Sequence, residues 1–385
     1  MHDRMIGKSG VKASTFGMGC MRLPLQAKAD GSTQNELVDE KEAIRMIHHA
    51  IDHGVTYIDT AYGYHGGNSE RIVGKALRGG YRERVSLATK MPVWMVKTAD
   101  DFNRLLEEQL IKLQTDHLDF YLLHSLSRKT WDNVHRLGIL DFLDQAKRDG
   151  RIRHAGFSFH DQLPLFKEIV DSYTWDMCQI QFNLLDEHYQ AGLEGLRYAS
   201  DRGLGVVIME PLRGGALAQK VPADIQKVWN EAATKRSPAE WAFRWLIDIP
   251  QISVILSGVS TMEQLDDNLR IFADDLPNTL LPAERALIGR IQNLYRQKIK
   301  VGCTACNYCM PCPHGVNIPE NFRLYNQAYL YDDLPSGKRG YKQLAEKLND
   351  ASCCEECGQC EPLCPQNILI ISKLAEVRQV LGDET

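Results

Sequence analysis

Short runs of β-branched and other apolar residues alternate along the first two-thirds of the chain with longer stretches whose apolar residues recur at helical spacing. The short runs predict eight strands: Thr15–Met21, Val55–Asp59, Val85–Thr89, Leu118–Leu123, His154–Ser158, Met177–Phe182, Gly205–Met209 and Ile252–Leu256. The longer stretches predict eight helices: Lys41–His53, Ser69–Arg78, Asp100–Leu113, Trp131–Arg148, Leu163–Ser172, His188–Arg202, Pro238–Ile247 and Met262–Ile271. Regular alternation of strand and helix is typical of parallel βαβ units.

Eight such units favour an α/β fold whose strands close into a (β/α)8 TIM barrel, rather than an open, doubly wound sheet. The strands containing Val-Ser-Leu-Ala-Thr and Ile-Ser-Val-Ile-Leu are almost continuously apolar, as expected for a sheet covered by helices. No Gly-x-Gly-x-x-Gly follows the first strand, which counts against a Rossmann domain.

The chain length of 385 residues suits a barrel of about 250 to 300 residues followed by a small second domain. We therefore predict a barrel over residues 1–298 and a small, mainly helical domain over residues 299–385. Within the second domain, residues 319–349 predict two helices around Pro335.

Composition excludes several classes of partner. The chain is 44% hydrophobic and 25% charged, with a formal net charge of -5 and no basic block. This composition argues against nucleic acid or an anionic membrane as a partner. The sequence shows neither a signal peptide nor an apolar run long enough to cross a membrane. We therefore expect a reducing, cytoplasmic location, where disulfides are rare.

The cysteines are concentrated near the end of the chain, where nine of the eleven lie between Cys303 and Cys364. One run has the C-x2-C-x2-C-x3-C-P spacing of bacterial iron-sulfur ferredoxins: Cys354, Cys357, Cys360 and Cys364, followed by proline. An earlier run has one residue fewer before its last cysteine: Cys303, Cys306, Cys309 and Cys312, again followed by proline. Two runs of this kind predict two [4Fe-4S] clusters, and so a ferredoxin-like iron-sulfur domain over residues 299–385.

In two-cluster ferredoxins, the cysteine before the proline ligates the other cluster. One cluster would then be held by Cys303, Cys306, Cys309 and Cys364, and the other by Cys354, Cys357, Cys360 and Cys312. Two alternatives stay open: zinc bound by paired C-x2-C units, and a single cluster on the second run. Cys353 is spare, and we expect Cys20 and Cys178 to pack in a core.

Four residues near the carboxyl ends of predicted strands carry the candidate chemistry, because TIM-barrel active sites lie at that face. Asp59 ends the second strand, Lys90 follows the third, His124 follows the fourth, and Tyr64 stands in the loop after Asp59. A buried Lys90 close to the Tyr64 hydroxyl would lower the tyrosine pKa, while Asp59 keeps the lysine charged. His124 could orient a substrate carbonyl.

These residues lie in motifs that resemble the aldo-keto reductase family from residue 5 to about residue 275. The motifs are Gly-Val-Thr-Tyr-Ile-Asp59-Thr-Ala with Tyr64, Ala-Thr-Lys90, Leu-Asp-Phe-Tyr-Leu-Leu-His124, Gly150-Arg-Ile-Arg-His-Ala-Gly-Phe-Ser158, Gln179-Ile-Gln-Phe-Asn183 and Glu210-Pro-Leu-Arg-Gly-Gly215. With the cysteine-rich tail, the chain resembles the bacterial and archaeal branch that carries a C-terminal 4Fe-4S ferredoxin module.

The resemblance implies that Tyr64 is the general acid or base, that Lys90 and Asp59 tune it, and that His124 orients the carbonyl. It also implies a nicotinamide cofactor. Its contacts would be, from the nicotinamide to the adenosine end, Ser158, Gln179, Met209, Pro211, Leu212, Gly214, Gly215, Ser257, Gly258, Gln264 and Asn268.

Several parts of the sequence depart from the family pattern. Met209 stands where many members have an aromatic residue that stacks on the nicotinamide. The His-Gly-Gly-Asn-Ser segment after Tyr64 is longer than the common form, and Phe159 and His160 follow Ser158 where the family usually has asparagine. Relatives that prefer NADPH often pair its 2′-phosphate with a basic residue and an arginine, whereas Gly258 and Gln264 stand at those positions here. NAD(H) therefore stays open beside NADP(H).

We predict an NAD(P)-dependent oxidoreductase that interconverts a carbonyl and an alcohol on a small molecule. Hydride carries two electrons and a cubane normally passes one, and no flavin fingerprint is present. The clusters would therefore pass electrons through a flavin or a partner protein, stabilise their domain, or sense redox state. The alternative hypothesis is a barrel that serves as a docking module in an electron-transfer or redox-sensing protein.

Overall fold

Eight parallel strands close into a barrel, which confirms the predicted fold class. The structure is a computed structural model and describes residues 1–27, 33–218 and 221–382. Its strands are β1 (Asp3–Met5), β2 (Lys12–Ser14), β3 (Phe16–Gly19), β4 (Leu25–Ala27), β5 (Thr33–Val38), β6 (Tyr57–Asp59), β7 (Ser86–Met91), β8 (Leu118–Leu126), β9 (Ile152–Phe159), β10 (Met177–Gln181), β11 (Gly205–Met209) and β12 (Ile252–Ser257).

The barrel contains the eight strands that the sequence predicts, in the order β3-β6-β7-β8-β9-β10-β11-β12. The last strand closes on the first through the paired residues Ser257 and Met18. Two further antiparallel pairs, β1 with β2 and β4 with β5, have no counterpart in the predicted pattern. Both are made of strands of three to six residues, too short for a reliable period-2 signal.

One apolar cluster fills the barrel: Ile6, Ala13, Tyr57, Ala88, Phe120, Leu122, Met177, Val207, Val254 and Leu256. Burying a large apolar side chain stabilises a fold by roughly 1.5 to 3 kcal/mol. Side chains alternate along a strand. The residue two positions after a cluster member on the same strand therefore also faces the barrel interior, closer to the carboxyl end of the barrel.

The helices are α1 (Glu40–Asp52), α2 (Ser69–Ala76), α3 (Asp100–Leu113), α4 (Arg128–Arg136), α5 (Ile139–Arg148), α6 (Leu163–Ser172), α7 (Gly192–Asp201), α8 (Ala223–Trp229), α9 (Pro238–Ile247), α10 (Met262–Phe272), α11 (Pro282–Lys298), α12 (Ile318–Leu330), α13 (Leu334–Ala345) and α14 (Ile370–Leu381). The single helix predicted over Trp131–Arg148 is wrong. The chain leaves the helix at Gly138, whose φ of 82° is left-handed, and α5 begins at the next residue.

The chain divides into two compact units, Met1–Pro211 with Ala242–Thr279, and Leu212–Trp241 with Leu280–Thr385. All the barrel strands lie in the first unit. The domain boundary predicted at residue 298 stays a prediction. Within the described ranges, no helix has both the length and the apolar character needed to span a membrane.

In the second unit, α12, α13 and α14 pack around a core that includes Phe322, Tyr325, Tyr341, Leu374 and Val377. The two helices predicted between residues 319 and 349 are present, but the break between them precedes Pro335. Pro335 lies in the first turn of α13, where a missing N–H costs nothing.

Candidate functional site

The predicted catalytic side chains meet at the carboxyl end of the barrel. Asp59, Lys90 and His124 each lie two residues beyond a member of the apolar cluster, so strand alternation turns them inward. Their residues are 2%, 0% and 4% exposed, respectively. Tyr64 joins them from the turn that follows β6.

Lys90 and Asp59 form a buried ion pair. The Lys90 ammonium donates to Asp59 Oδ1 at 2.6 Å and to the Thr60 carbonyl at 2.8 Å. It also donates to the Tyr64 hydroxyl at 3.5 Å. Burial raises the pKa of Asp59, and the neighbouring ammonium opposes that rise. The pair therefore holds a positive charge beside the phenol.

The pKa of Tyr64 is raised well above its usual value of 10.0, chiefly by burial and further by the charges of Asp59 and Glu210. The expected net lowering of the Tyr64 pKa is therefore wrong. Lys90 stands closer to Asp59 than to Tyr64, so burial and the nearby carboxylates outweigh its charge at the phenol. Tyr64 is held protonated, as a proton donor must be.

His124 lies beside Tyr64, with the two rings edge to face and their centroids 5.9 Å apart. Burial lowers the pKa of His124 well below its usual value, and the charges of Lys90 and His160 lower it further. A neutral imidazole carries one N–H, which can donate to a carbonyl oxygen. Trp94, half exposed, covers His124 with its ring centroid 5.1 Å away.

His65 explains the lengthened segment after Tyr64. It is buried in a left-handed conformation with φ of 53°, and its Nε2 accepts the N–H of Leu23 at 3.1 Å. Its Nδ1 lies 2.7 Å from the carbonyl of Asn35, so this nitrogen carries the hydrogen and donates. His65 thus links the Tyr64 turn to β5 and to the loop after β3. No motif or spacing in the sequence predicts this role.

Ser158 and Gln179, the predicted nicotinamide contacts, are buried neighbours on β9 and β10. Ser158 Oγ accepts the N–H of Ser125 at 2.6 Å, and Gln179 Nε2 lies 3.6 Å from the sulfur of Met209. Among the described residues, Gln179 Oε1 has no hydrogen-bond partner. A carboxamide NH2 would satisfy this buried acceptor, so these residues fit a nicotinamide.

Strand alternation explains where Phe159 and His160 lie, the two residues that replace the usual asparagine after Ser158. Phe159 packs edge to face on Phe166 of α6, with ring centroids 5.2 Å apart, so it points away from the barrel interior. His160 lies on the same side as Ser158 and is 7% exposed. Burial lowers its pKa to about 4, although a hydrogen bond with Gln190 opposes the shift. His160 is a second neutral imidazole near His124.

At the predicted adenosine end, the polar side chains bond to one another. Asn268 Nδ2 donates to Ser257 Oγ at 3.0 Å, and Gln264 Oε1 accepts the N–H of Ser260 at 2.9 Å. Gly258 is exposed, and the side chain of Arg22 lies directly against it. Arg22, from the loop after β3, is a residue that the sequence analysis missed.

The predicted phosphate loop follows β11. Glu210, Arg213, Gly214 and Gly215 all have positive φ, and the N–H of Gly215 donates to the Leu212 carbonyl at 3.0 Å. Glycines allow this left-handed backbone without strain. Pro211 belongs to the first compact unit and Leu212, Gly214 and Gly215 to the second.

The eight cysteines predicted as ligands line two cavities in the second unit. Cys303, Cys306, Cys309 and Cys364 border one cavity. Cys312, Cys354, Cys357 and Cys360 border the other, which Cys309 also touches. The last cysteine of each run therefore faces the cavity of the other run.

Electrostatic contacts follow the same grouping. The pKa of Cys309 is raised to about 12 by burial first and then by the charges of Cys306, Cys303 and Cys364. In the described part of the chain, no three His, Cys, Asp or Glu side chains are grouped to hold a single metal ion. Each cavity is instead ringed by thiols, and in a cubane each thiolate binds a different iron.

The other three cysteines are accounted for. Cys20 and Cys178 are fully buried with raised pKa values caused by burial, which confirms the prediction that they pack in a core. Cys353 contacts Asp350, with Sγ 3.6 Å from Oδ1, and does not line either cavity.

Two stretches of the chain match known families. Residues 16–281 match the aldo/keto reductase family, and residues 302–369 match the 4Fe-4S dicluster domain.

Individual relatives match most of the barrel. An uncharacterized oxidoreductase of Bacillus subtilis is 28% identical over 73% of this chain and 94% of its own length. An NADH-specific methylglyoxal reductase of Escherichia coli is 26% identical over 72% of this chain and 96% of its own length. An L-galactose dehydrogenase of Arabidopsis thaliana is 25% identical over 76% of this chain and 95% of its own length.

Among solved structures, the holo form of an aldo-keto reductase from Bacillus halodurans superimposes with a TM-score of 0.63. It is 25% identical and covers 76% of this chain and 96% of its own.

Proposed function

The chain belongs to the aldo/keto reductase family and carries a C-terminal 4Fe-4S dicluster domain, and on this premise we propose a nicotinamide-dependent reductase. Its reaction interconverts a carbonyl and an alcohol on a small, neutral, oxygenated substrate. The single observation that carries the proposal is the buried Lys90–Asp59 pair within 3.5 Å of the Tyr64 hydroxyl, beside His124.

The nicotinamide, when bound, supplies the hydride for the carbonyl carbon. Tyr64 donates the proton to the carbonyl oxygen, because its raised pKa keeps the hydroxyl protonated. Lys90 stabilises the phenolate that proton transfer leaves behind, and Asp59 holds the lysine in position. His124 orients the carbonyl by donating an N–H. Ser158 and Gln179 would hold the carboxamide, and Met209 would supply an apolar contact to the nicotinamide.

The substrate class rests on the walls of the site. His124 and His160 are both neutral, because burial lowers both pKa values, so they offer hydrogen bonds but no positive charge for a carboxylate. Trp94 adds an apolar wall. Two relatives are named for activity on methylglyoxal and on L-galactose, which fall in the same class of small, uncharged, oxygen-rich compounds.

The cysteine-lined cavities would hold two [4Fe-4S] clusters, one on Cys303, Cys306, Cys309 and Cys364, the other on Cys354, Cys357, Cys360 and Cys312. Support comes from the cavities themselves, since each is bordered by all four cysteines of its proposed set. A cubane normally passes one electron. The clusters therefore serve either to transfer electrons with a one-electron partner or to stabilise the second unit.

The test compares Tyr64→Phe with Tyr62→Phe in anaerobically purified protein. The Tyr62 hydroxyl bonds to Glu108 and not to the catalytic group, so Tyr62→Phe is a matched control. Against a panel of small aldehydes that includes methylglyoxal, we expect Tyr64→Phe to lower kcat roughly a hundredfold to ten-thousandfold while the control stays near wild type. Activity that is indifferent to Tyr64 would refute the proposal.

A further inference from the structure

Closure of the barrel brings Arg22 to the predicted adenosine end of the cofactor. Met18 of β3 pairs with Ser257 of β12. Arg22 follows four residues after Met18, and Gly258 directly follows Ser257. Both residues therefore leave the carboxyl ends of adjacent strands, although 236 positions separate them in the sequence.

Gly258 provides room for the arginine. A Cβ added at Gly258 would lie 3.2, 3.3 and 3.5 Å from the Cβ, Cγ and Cδ atoms of Arg22. The backbone of Gly258 does not have a left-handed φ, so its conformation does not require glycine. The glycine is needed for space, because the arginine stem lies where a side chain would be.

Two hydrogen bonds hold the peptide unit that follows Arg22. Its carbonyl accepts the hydroxyl of Ser260 at 2.9 Å, and the N–H of the next residue, Leu23, donates to His65 at 3.1 Å. Leu23 is 1% exposed, which anchors the loop to the core. The arginine is thus held against the Gly258–Ser260 segment that leads into α10.

The charge of Arg22 is uncompensated within the described residues, since no carboxylate lies within 4.0 Å of its guanidinium. Two carboxylates on α10 are already paired, Asp266 with His49 at 2.7 Å and Asp267 with Arg270 at 2.8 Å. Glu263, in the first turn of α10, is exposed to solvent. An arginine without a carboxylate partner at a half-buried position is suited to bind an anionic ligand by charge-assisted hydrogen bonds.

We propose that Arg22 binds the 2′-phosphate of NADP(H) and gives this protein a preference for NADP(H) over NAD(H). The proposal rests on the proposed function, which assigns the cofactor to this face. Gly258 and Gln264 supply no cation where many relatives have one, and Arg22 supplies it from a different loop.

The test measures dissociation constants for NADPH and NADH by isothermal titration calorimetry on the full chain with its clusters. Adenosine 2′,5′-bisphosphate and adenosine 5′-monophosphate serve as probes of the adenosine end alone. Arg22→Ala is compared with Arg270→Ala, a matched control whose guanidinium bonds to Asp267 on the same helix. Arg22→Lys keeps the charge but not the bidentate geometry.

We expect wild type to bind NADPH more tightly than NADH. Arg22→Ala should weaken NADPH and the bisphosphate roughly tenfold to a hundredfold, with NADH and the monophosphate changed less than about threefold. Arg22→Lys should lie between, and Arg270→Ala should match wild type.

Equal weakening of NADPH and NADH in Arg22→Ala would overturn the proposal, because it would point to a general role in shaping the loop. Wild type that binds NADH as tightly as NADPH, or more tightly, would overturn the proposal alone and leave the proposed function intact. Wild type that binds neither dinucleotide would refute the proposed function, and this inference with it.

Discussion

At the scale of single residues, the site is defined by one buried ion pair and the phenol next to it. Lys90 is 0% exposed and Asp59 is 2% exposed, so each charge depends on the other for stabilisation. A buried pair contributes little to net stability, but removing one partner leaves a charge without compensation. Stability and chemistry can therefore be separated by mutation.

Lys90→Met should lower the free energy of unfolding by about 3 to 5 kcal/mol, because Asp59 stays buried without its cation. The double variant Asp59→Asn/Lys90→Met should recover much of that loss, since no buried charge remains. Both variants should lack activity, because both lack Lys90. Denaturant unfolding followed by tryptophan fluorescence measures the effect. A double variant no more stable than Lys90→Met would show that the charge pairing is not the cause.

The pH dependence follows from two shifted pKa values. Because the pKa of Tyr64 is raised, the hydroxyl stays protonated, and kcat/KM for carbonyl reduction should be flat up to about pH 9. Alcohol oxidation needs the phenolate, so its kcat/KM should rise by about tenfold per pH unit over that range. Because the pKa of His124 is lowered, titration of this residue should not change kcat/KM between about pH 5 and 9. A change in kcat/KM for reduction centred near pH 7 would contradict this assignment of roles.

The sequence identified Asp59, Tyr64, Lys90 and His124 because each stands at a strand end within a recognisable motif. It did not identify His65, His160 or Arg22. Each of these acts through contacts with distant segments, such as the 3.1 Å bond from Leu23 to His65. A single sequence carries no signal for such contacts.

At the scale of secondary-structure elements, periodicity located all eight barrel strands but not every helix boundary. Apolar spacing continues through Gly138, yet the left-handed φ of that residue separates α4 from α5. Pro335 marks the start of α13 and not the break before it. Helix ends depend on individual backbone conformations, which the spacing of apolar residues does not report.

The two cysteine runs give a test of which cysteines share a cluster. If the last cysteine of each run serves the other cluster, the double variant Cys303→Ser/Cys364→Ser should retain roughly four irons per chain, because both residues belong to one cluster. Cys303→Ser/Cys312→Ser should lose both clusters. Iron and sulfide assays with electron paramagnetic resonance measure the result.

Cys353→Ser is the matched control, because this cysteine adjoins Cys354 but lines neither cavity, and it should keep roughly eight irons per chain. The reverse outcome, with clusters lost in Cys303→Ser/Cys364→Ser and one retained in Cys303→Ser/Cys312→Ser, would show that each run binds its own cluster. Zinc in place of iron would refute the cluster assignment.

At the scale of the whole molecule, the chain is not divided in simple sequence order. Leu212–Trp241 groups with Leu280–Thr385, although it lies between β11 and β12 of the barrel. Within that unit, Lys298 at the end of α11 bonds to both Asp224 and Asp332, at 3.3 and 3.1 Å. A composition shift along the sequence does not reveal a unit assembled from two separate segments.

The sequence by itself determined the barrel, the residues proposed as catalytic and the two cysteine runs. These features depend on local periodicity and short spacings, which are written directly in the order of residues. Only the tertiary structure decided which loops meet at the barrel mouth. Pairing of β12 with β3 brings Arg22 against Gly258, and the buried His65 joins three segments at once. The direction of the Tyr64 pKa shift was also decided there, because it depends on burial and on the charges of Asp59 and Glu210.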